Sequence, residues 1–357
     1  MILKGIILYC VSQIETERSV SAVYYIITGK RSIQTVQDMH IYQLKNFFGI
    51  DTNIDKSDYD QLIQACEAEQ LLIKVDDEKQ LYRISRQGER WLVKENDQLY
   101  LNLFKGAQYG ANSHTYFDRL RLLIQTLTNS KMGYFQFIPV IENKDVENWV
   151  KRNYSAIKPV TNQFLSKLYE ELLQVLHRFP VEVAEMFVDR LTGYKSYGKS
   201  INQLAKQHNR STKTVHLIIT GFLHFLIDIV MKEEPFPILR FIAKDLTSSV
   251  YLTNTAQITH QFLHNGNTIQ EIANERNLKV NTIYDHIVEI ALYDSDFSIE
   301  NYVSKADQQE IIEAFYQTNS YRLKTIKDFV DNRISYFQIR LVLAVLQNEV
   351  ESNGSIS

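Results

Sequence analysis

One spacing of apolar and polar residues occurs twice in this chain, 68 positions apart. Ile201-x-x-Leu204-Ala205, then Asn209, Ser211, Thr214 and Val215, returns as Ile269-x-x-Ile272-Ala273, then Asn277, Lys279, Thr282 and Ile283, in register at each position. The first part of each copy predicts a short helix and the last part a second helix, meeting across a tight turn at the asparagine. A small alanine at the crossing lets the two axes approach closely and steeply. Ser211 stands where an N-cap would begin the second helix, because its hydroxyl can accept from an unpaired backbone N–H. One match of this kind is weak evidence; two in one chain make a helix-turn-helix pattern the organising feature.

The surroundings of the first copy are basic. Residues 190–227, RLTGYKSYGKSINQLAKQHNRSTKTVHLIITGFLHFLI, hold six Lys/Arg and no Asp or Glu, in a chain whose net charge is −3. Val215 and Ile218 are expected to face inward and Thr212, Lys213 and His216 outward. In DNA-binding versions of the motif the N-terminal half of the second helix enters the major groove. Lys199, Arg210, Ser211, Thr212, Lys213 and His216 are therefore candidate DNA contacts, the absence of carboxylates favouring phosphate; the alternative is a helical hairpin with a solvated face. In the second copy the candidates are Lys279, Asn281, Thr282, Tyr284 and His286. Glu271, Glu275, Asp285 and Glu289 are interspersed there, which lowers phosphate affinity and leaves protein docking as open as DNA contact.

Other chemistry is sought without success. Gly193-x-x-x-x-Gly198-Lys199-Ser200 matches a phosphate-loop pattern, but such a loop needs a buried strand before it, and VEVAEMFVDRL has helical spacing. His260 and His264 stand at i, i+4 without a third ligand. Cys10 and Cys66 lie far apart in amphipathic segments, which indicates neither a zinc site nor a disulfide framework and suits a reducing cytoplasm. MILKGIILYCV, with Lys4 inside it, reads as a first helix, and nothing is expected to reach the length of a membrane span. No catalytic residue, metal, cofactor or membrane partner is expected.

At 357 residues several domains are expected. The fold class is mainly α: an N-terminal winged helix with one β-hairpin (1–95), a helical connecting domain (96–178), two helix-turn-helix units (179–255 and 256–350) and a disordered tail (351–357). Helices are expected over MILKGIILYCVSQIE, over VSAVYYIITGK to Gly29, over HIYQLKNFFGI to Gly49 and over YDQLIQACEAEQ. The halves of LLIKVDDEKQLYRIS alternate as a hairpin. In the middle domain Tyr134, Phe135, Phe137 and Trp149 suggest either a base-stacking surface or, preferred here, core packing.

The run IITGKRSIQTV, LKNFFGI, Gln70-Leu71-Leu72 and YRISRQGERWL resembles the winged-helix domain behind the motor of RecQ-family helicases. That resemblance implies phosphate contacts at Lys30 and Arg31, with Lys79 and Tyr82 on or near the wing. PVEVAEMFVDRLTGY and the first copy are similar to the DNA-binding regions of sigma factors and response regulators. TIQEIANERNLKVNTIYDHIVEIAL, VSKADQQEIIEAF and RLKTIKDFVDNRISYFQIRLVLAVL resemble the helix-turn-helix module at the C-terminus of some RecQ-type helicases. Taken whole, the chain resembles the YpbB family of Gram-positive bacteria. This implies a non-catalytic DNA-binding accessory subunit that joins a short RecQ-type helicase motor and places it on forked or tailed duplex during replication or repair, in the cytoplasm at the nucleoid. A helix-turn-helix transcription regulator is the competing reading.

Overall fold

The computed structural model describes residues 1–246, 252–294 and 296–354, with side chains as far as 346. The described residues are mainly helical, with one antiparallel hairpin, Leu72–Asp76 and Leu81–Ile84. Its register pairs Leu72 with Ile84 and Lys74 with Tyr82, and a bulge falls between Lys74 and Asp76. The segment expected to end as a helix at Gly49 folds differently: the helix is Ile33–Ile41, followed by a 3-10 turn at Lys45–Phe47. Ser32 starts that helix by accepting from the Thr35 N–H, a cap lying between the two segments expected to be helical.

Four consecutive domains were expected; the contacts group the chain into two compact units made of interleaved pieces. The first comprises Met1–Ile7, Asn46–Asn53 and Glu89–Ser249, the second Leu8–Lys45, Ile54–Gly88 and Val250–Ser357.

The first unit is built around Thr212–Lys232, a 21-residue helix buried from Thr214 to Val230 except at His216 and Phe225. Phe222 lies 4.5 Å, ring to ring, from both Phe179 and Phe187. At Gly221 a Cβ would stand 3.3 Å from the Cβ of Leu103, so the missing side chain permits the close approach there. This helix corrects the expectation that nothing reaches the length of a membrane span: by length and composition it does, with a mean hydropathy of 1.9. Its apolar stretch is 83% buried within the protein, and it carries His224 and Asp228 among its buried residues. The Asp228 carboxylate accepts from the Tyr109 hydroxyl at 3.0 Å and pairs with Lys232 at 2.9 Å, so its charge is compensated where it is buried.

In the second unit the helix Ile33–Ile41 packs on Val280–Tyr293, which also packs on Asn254–His264 and on the last helix, Tyr336–Gly354. Glu17 accepts from the Ser320 hydroxyl at 2.9 Å and from the Tyr321 N–H at 3.2 Å, joining residues about 300 positions apart in sequence. The tail expected to be disordered from 351 is helical to Gly354; residues 355–357 lie outside the described residues.

Aromatic placement in the middle of the chain divides the residues assigned to core packing. Trp149 is buried, with the Arg119 guanidinium 4.7 Å from its ring, but Tyr134 and Phe135 are exposed and Phe137 is half-buried.

Candidate nucleic-acid interface

Both copies of the repeated pattern fold into the same turn. The first pairs Ile201–Gln207 with Thr212–Lys232, and the second pairs Ile269–Glu275 with Val280–Tyr293. Each opens on a reciprocal capping box, Ser200 with Gln203 and Thr268 with Glu271, in which side chain and backbone satisfy each other's donors. At each turn an asparagine, Asn209 or Asn277, takes φ 49° in the left-handed region, where the next N–H, of Arg210 or Leu278, donates back to Ala205 or Ala273 at 2.9 Å. Leu204 and Val215, like Ile272 and Ile283, are fully buried at the crossing. The equivalence of the two copies thus extends from sequence to hydrogen bonds.

Charge does not follow the same equivalence. The first copy was expected to present cations free of carboxylates, and the fold supplies a carboxylate to Lys199, Arg210 and Lys213, leaving Lys195 and Lys206 exposed. Lys213 reaches the buried Asp51 at 2.7 Å. Arg210 holds Glu182 through two bonds of 3.1 and 3.2 Å. Lys199 pairs with Asp189 at 2.9 Å and donates to Gln207. His216 stacks on His114 with centroids 5.5 Å apart and planes 8° from parallel; burial, then the neighbouring His114, lowers its pKa and keeps it neutral. Only Ser211 and Thr212 stand exposed at this helix start, and the Ser211 hydroxyl accepts from the Thr214 N–H at 3.1 Å. Asp51 and Glu182 lie outside the acid-free stretch, and no local pattern marks Asp51 as the partner of Lys213.

In the second copy three of the four interspersed carboxylates are engaged, and Glu275 stays exposed. Glu271 completes the capping box, Asp285 pairs with Arg340 at 2.7 Å, and buried Glu289 accepts from the Thr253 N–H and hydroxyl. Lys279 and Asn281 are exposed at the start of Val280–Tyr293 and Thr282 is half-buried beside them. Two expected contacts do not face outward freely. His286 is buried, with its ring nitrogens 3.2 and 2.8 Å from the Thr255 and Thr259 hydroxyls, and Tyr284 is half-buried with its ring stacked 4.1 Å from Phe337. Burial, then Arg276, lowers the His286 pKa, so it carries no charge towards a phosphate at neutral pH.

Of the residues placed at the wing by resemblance, Tyr82 is buried and its hydroxyl donates to Glu67 at 3.2 Å, which removes it from any contact surface. Lys79 is exposed and 3.5 Å from Asp76 on the same hairpin. Lys30 and Arg31 are exposed, the Lys30 ammonium lying 4.0 Å from the Tyr25 ring centroid.

The Gly193–Ser200 stretch has a helix, Val181–Val188, before it in place of the strand a phosphate loop requires. Its Lys199 ammonium is engaged as above, and the Gly198 N–H donates to the Thr192 hydroxyl at 3.0 Å. Among the described residues no cluster of three or more His, Cys, Asp or Glu is placed to hold a metal ion, and His260 lies 3.6 Å from Asp294.

A mainly helical fold with paired helices at the repeated turn defines a helix-turn-helix protein, and residues 255–343 match the family described as a helix-turn-helix domain. Over 342 residues the chain is 32% identical to Protein YpbB of Bacillus subtilis (strain 168), covering 94% of this chain and 95% of that protein. The chain belongs to the YpbB family. No solved structure matches it.

Proposed function

We propose that this protein binds DNA chiefly through its second helix-turn-helix unit, as a non-catalytic accessory subunit of a short RecQ-type helicase. In this role it places the motor on forked or tailed duplex at the nucleoid. The observation that carries the reading is the state of charge at the two helix starts. At Lys279 and Asn281 polar groups face solvent, with Thr282 half-buried beside them, while the neighbouring Glu271, Asp285 and Glu289 are held by internal partners and Glu275 is left exposed. At Lys213, Arg210 and Lys199 the cations themselves are held. A phosphate contact needs a cation whose counterion is mobile, because release of condensed ions from DNA provides the affinity. Exposed Lys30 and Arg31, in the same compact unit, extend the candidate surface. The helicase partner rests on the resemblance of the N- and C-terminal segments to accessory domains of RecQ helicases.

The test compares Lys279→Ala with wild type on tailed duplex across a salt series. The expected result is weaker binding and a salt slope smaller by about one. An unchanged slope places the contact elsewhere. Footprinting on random-sequence forks separates the accessory role from a transcription regulator, which protects one defined sequence wherever it lies. Co-purification with a short RecQ-type helicase from the same cell tests the partner.

A further inference from the structure

A groove of about 460 Å³ in the first unit lies between the turn at residues 193–197 and the extended segment at 134–138. Its exposed apolar surface is large: of the residues lining it, Tyr197 is 86% exposed, Ile138 85% and Tyr134 48%. Rings left in water at this density on a folded protein mark a binding surface. From this geometry we infer that the groove takes an unpaired base of single-stranded DNA, stacked on Tyr134 and Tyr197, with Lys195 on the adjoining phosphate.

Charge selects this occupant. Among the described residues Lys195 supplies the only charged side chain lining the groove, and no Asp or Glu lines it. The basic character of residues 190–227 is neutralised at Lys199, Arg210 and Lys213, but Lys195 lies beside the rings, its ammonium 5.3 Å from the Tyr194 centroid. An aromatic platform beside a cation, without carboxylates, is the combination by which single strands are held independently of sequence.

The walls are held in place before any ligand arrives. Gln125, on the helix Ser113–Lys131, donates to the Ile138 carbonyl at 2.9 Å and accepts from the Val140 N–H at 2.8 Å, fixing the extended wall. Across the groove Gly193 and Ser196 exchange backbone bonds of 2.8 and 3.2 Å, and the Tyr194 N–H donates to the Thr128 hydroxyl at 3.1 Å. Lys195 sits at φ 55°, a left-handed conformation that costs energy for a lysine.

This inference deepens the DNA-binding reading by adding a second site for the unpaired tail. Its test uses fluorescence anisotropy with labelled oligothymidylate and with blunt duplex, on the full chain. Tyr197→Ala removes an exposed ring, and Lys195→Asn removes the charge while keeping a residue that tolerates positive φ. Tyr197→Ala is expected to weaken oligothymidylate binding on the order of 10-fold. Lys195→Asn is expected to lower the single-strand salt slope by about 0.7. Both should leave blunt-duplex affinity unchanged. Equal oligothymidylate affinity in both variants and wild type overturns the inference, as does a wild type that binds duplex but no oligothymidylate. A wild type that binds oligothymidylate through these residues but no duplex overturns the helix-turn-helix reading and leaves the groove standing.

Discussion

Lys213→Ala separates a phosphate contact from a structural ion pair, and the structure sets the size of the effect. The Asp51 side chain is 1% exposed and its partner ammonium, on a side chain 37% exposed, lies 2.7 Å away. Removing one member of a fully buried pair costs about 3–5 kcal/mol, since the remaining charge has no partner. An exposed pair is worth about 0–1 kcal/mol, because solvent screens it. With one member buried and the other more than a third exposed, the expected loss lies between these, about 2 kcal/mol. At about 1.3 °C per kcal/mol for a chain of this length, Tm falls by ~3 °C. Thermal scanning and urea titration of Lys213→Ala, Asp51→Asn and the double variant carrying both complete the cycle. The double variant, with no buried charge, should recover most of the loss. DNA affinity, measured below the melting range, should change little. If Lys213→Ala melts like wild type and lowers the salt slope by about one, Lys213 contacts phosphate and the first copy is the reader after all.

Two further outcomes follow from buried groups and from the turns. His224 accepts the Lys105 N–H at 3.2 Å through Nδ1, and burial, then the charges of His114 and Lys105, lowers its pKa to about 3. An unfolded histidine takes its proton near pH 6.5, so between these values the unfolded chain binds more protons and stability falls as pH falls. Urea midpoints should therefore drop from pH 7.5 to 5, and His224→Gln should flatten that slope; an equal slope in the variant would show that the ring does not contribute. At the turns, Asn209 and Asn277 share φ 49°. Replacing Asn277 with alanine should cost about 1 kcal/mol, whereas Asn277→Gly should be near neutral. Equal damage from both would mean that the amide side chain, and not the backbone angle, holds the turn.

The repeated turn was legible because its determinants are local: caps, a small residue and two apolar positions within fifteen residues of each other. The hairpin was legible for the same reason, as alternation across a short polar break. Charge at the site was not, because ion pairs are set by what the fold brings near. Absence of carboxylates within residues 190–227 says nothing of Asp51, which comes to Lys213 from a distant part of the chain. His286 was assigned outward although it stands three and four residues from Ile283 and Ile290, both fully buried; the helical period places it on the inner face. The exposed rings at Tyr134 and Phe135 were assigned to the core by frequency alone, and composition does not distinguish a ring packed inside from one left in water.

The interleaving of the two units sets an order of events during synthesis. The piece Leu8–Lys45 shares its compact unit with residues that begin at Val250. At ribosomal speeds of about 5–20 residues per second, ~10–40 s pass between the emergence of the two. Throughout that interval the apolar face of Ile33–Ile41 awaits its final neighbours, so a nascent chain of this kind offers a long window to chaperones. For the same reason residues 255–343, cut out alone along the matched family boundary, would leave the face of Val280–Tyr293 that covers Ile33–Ile41 bare.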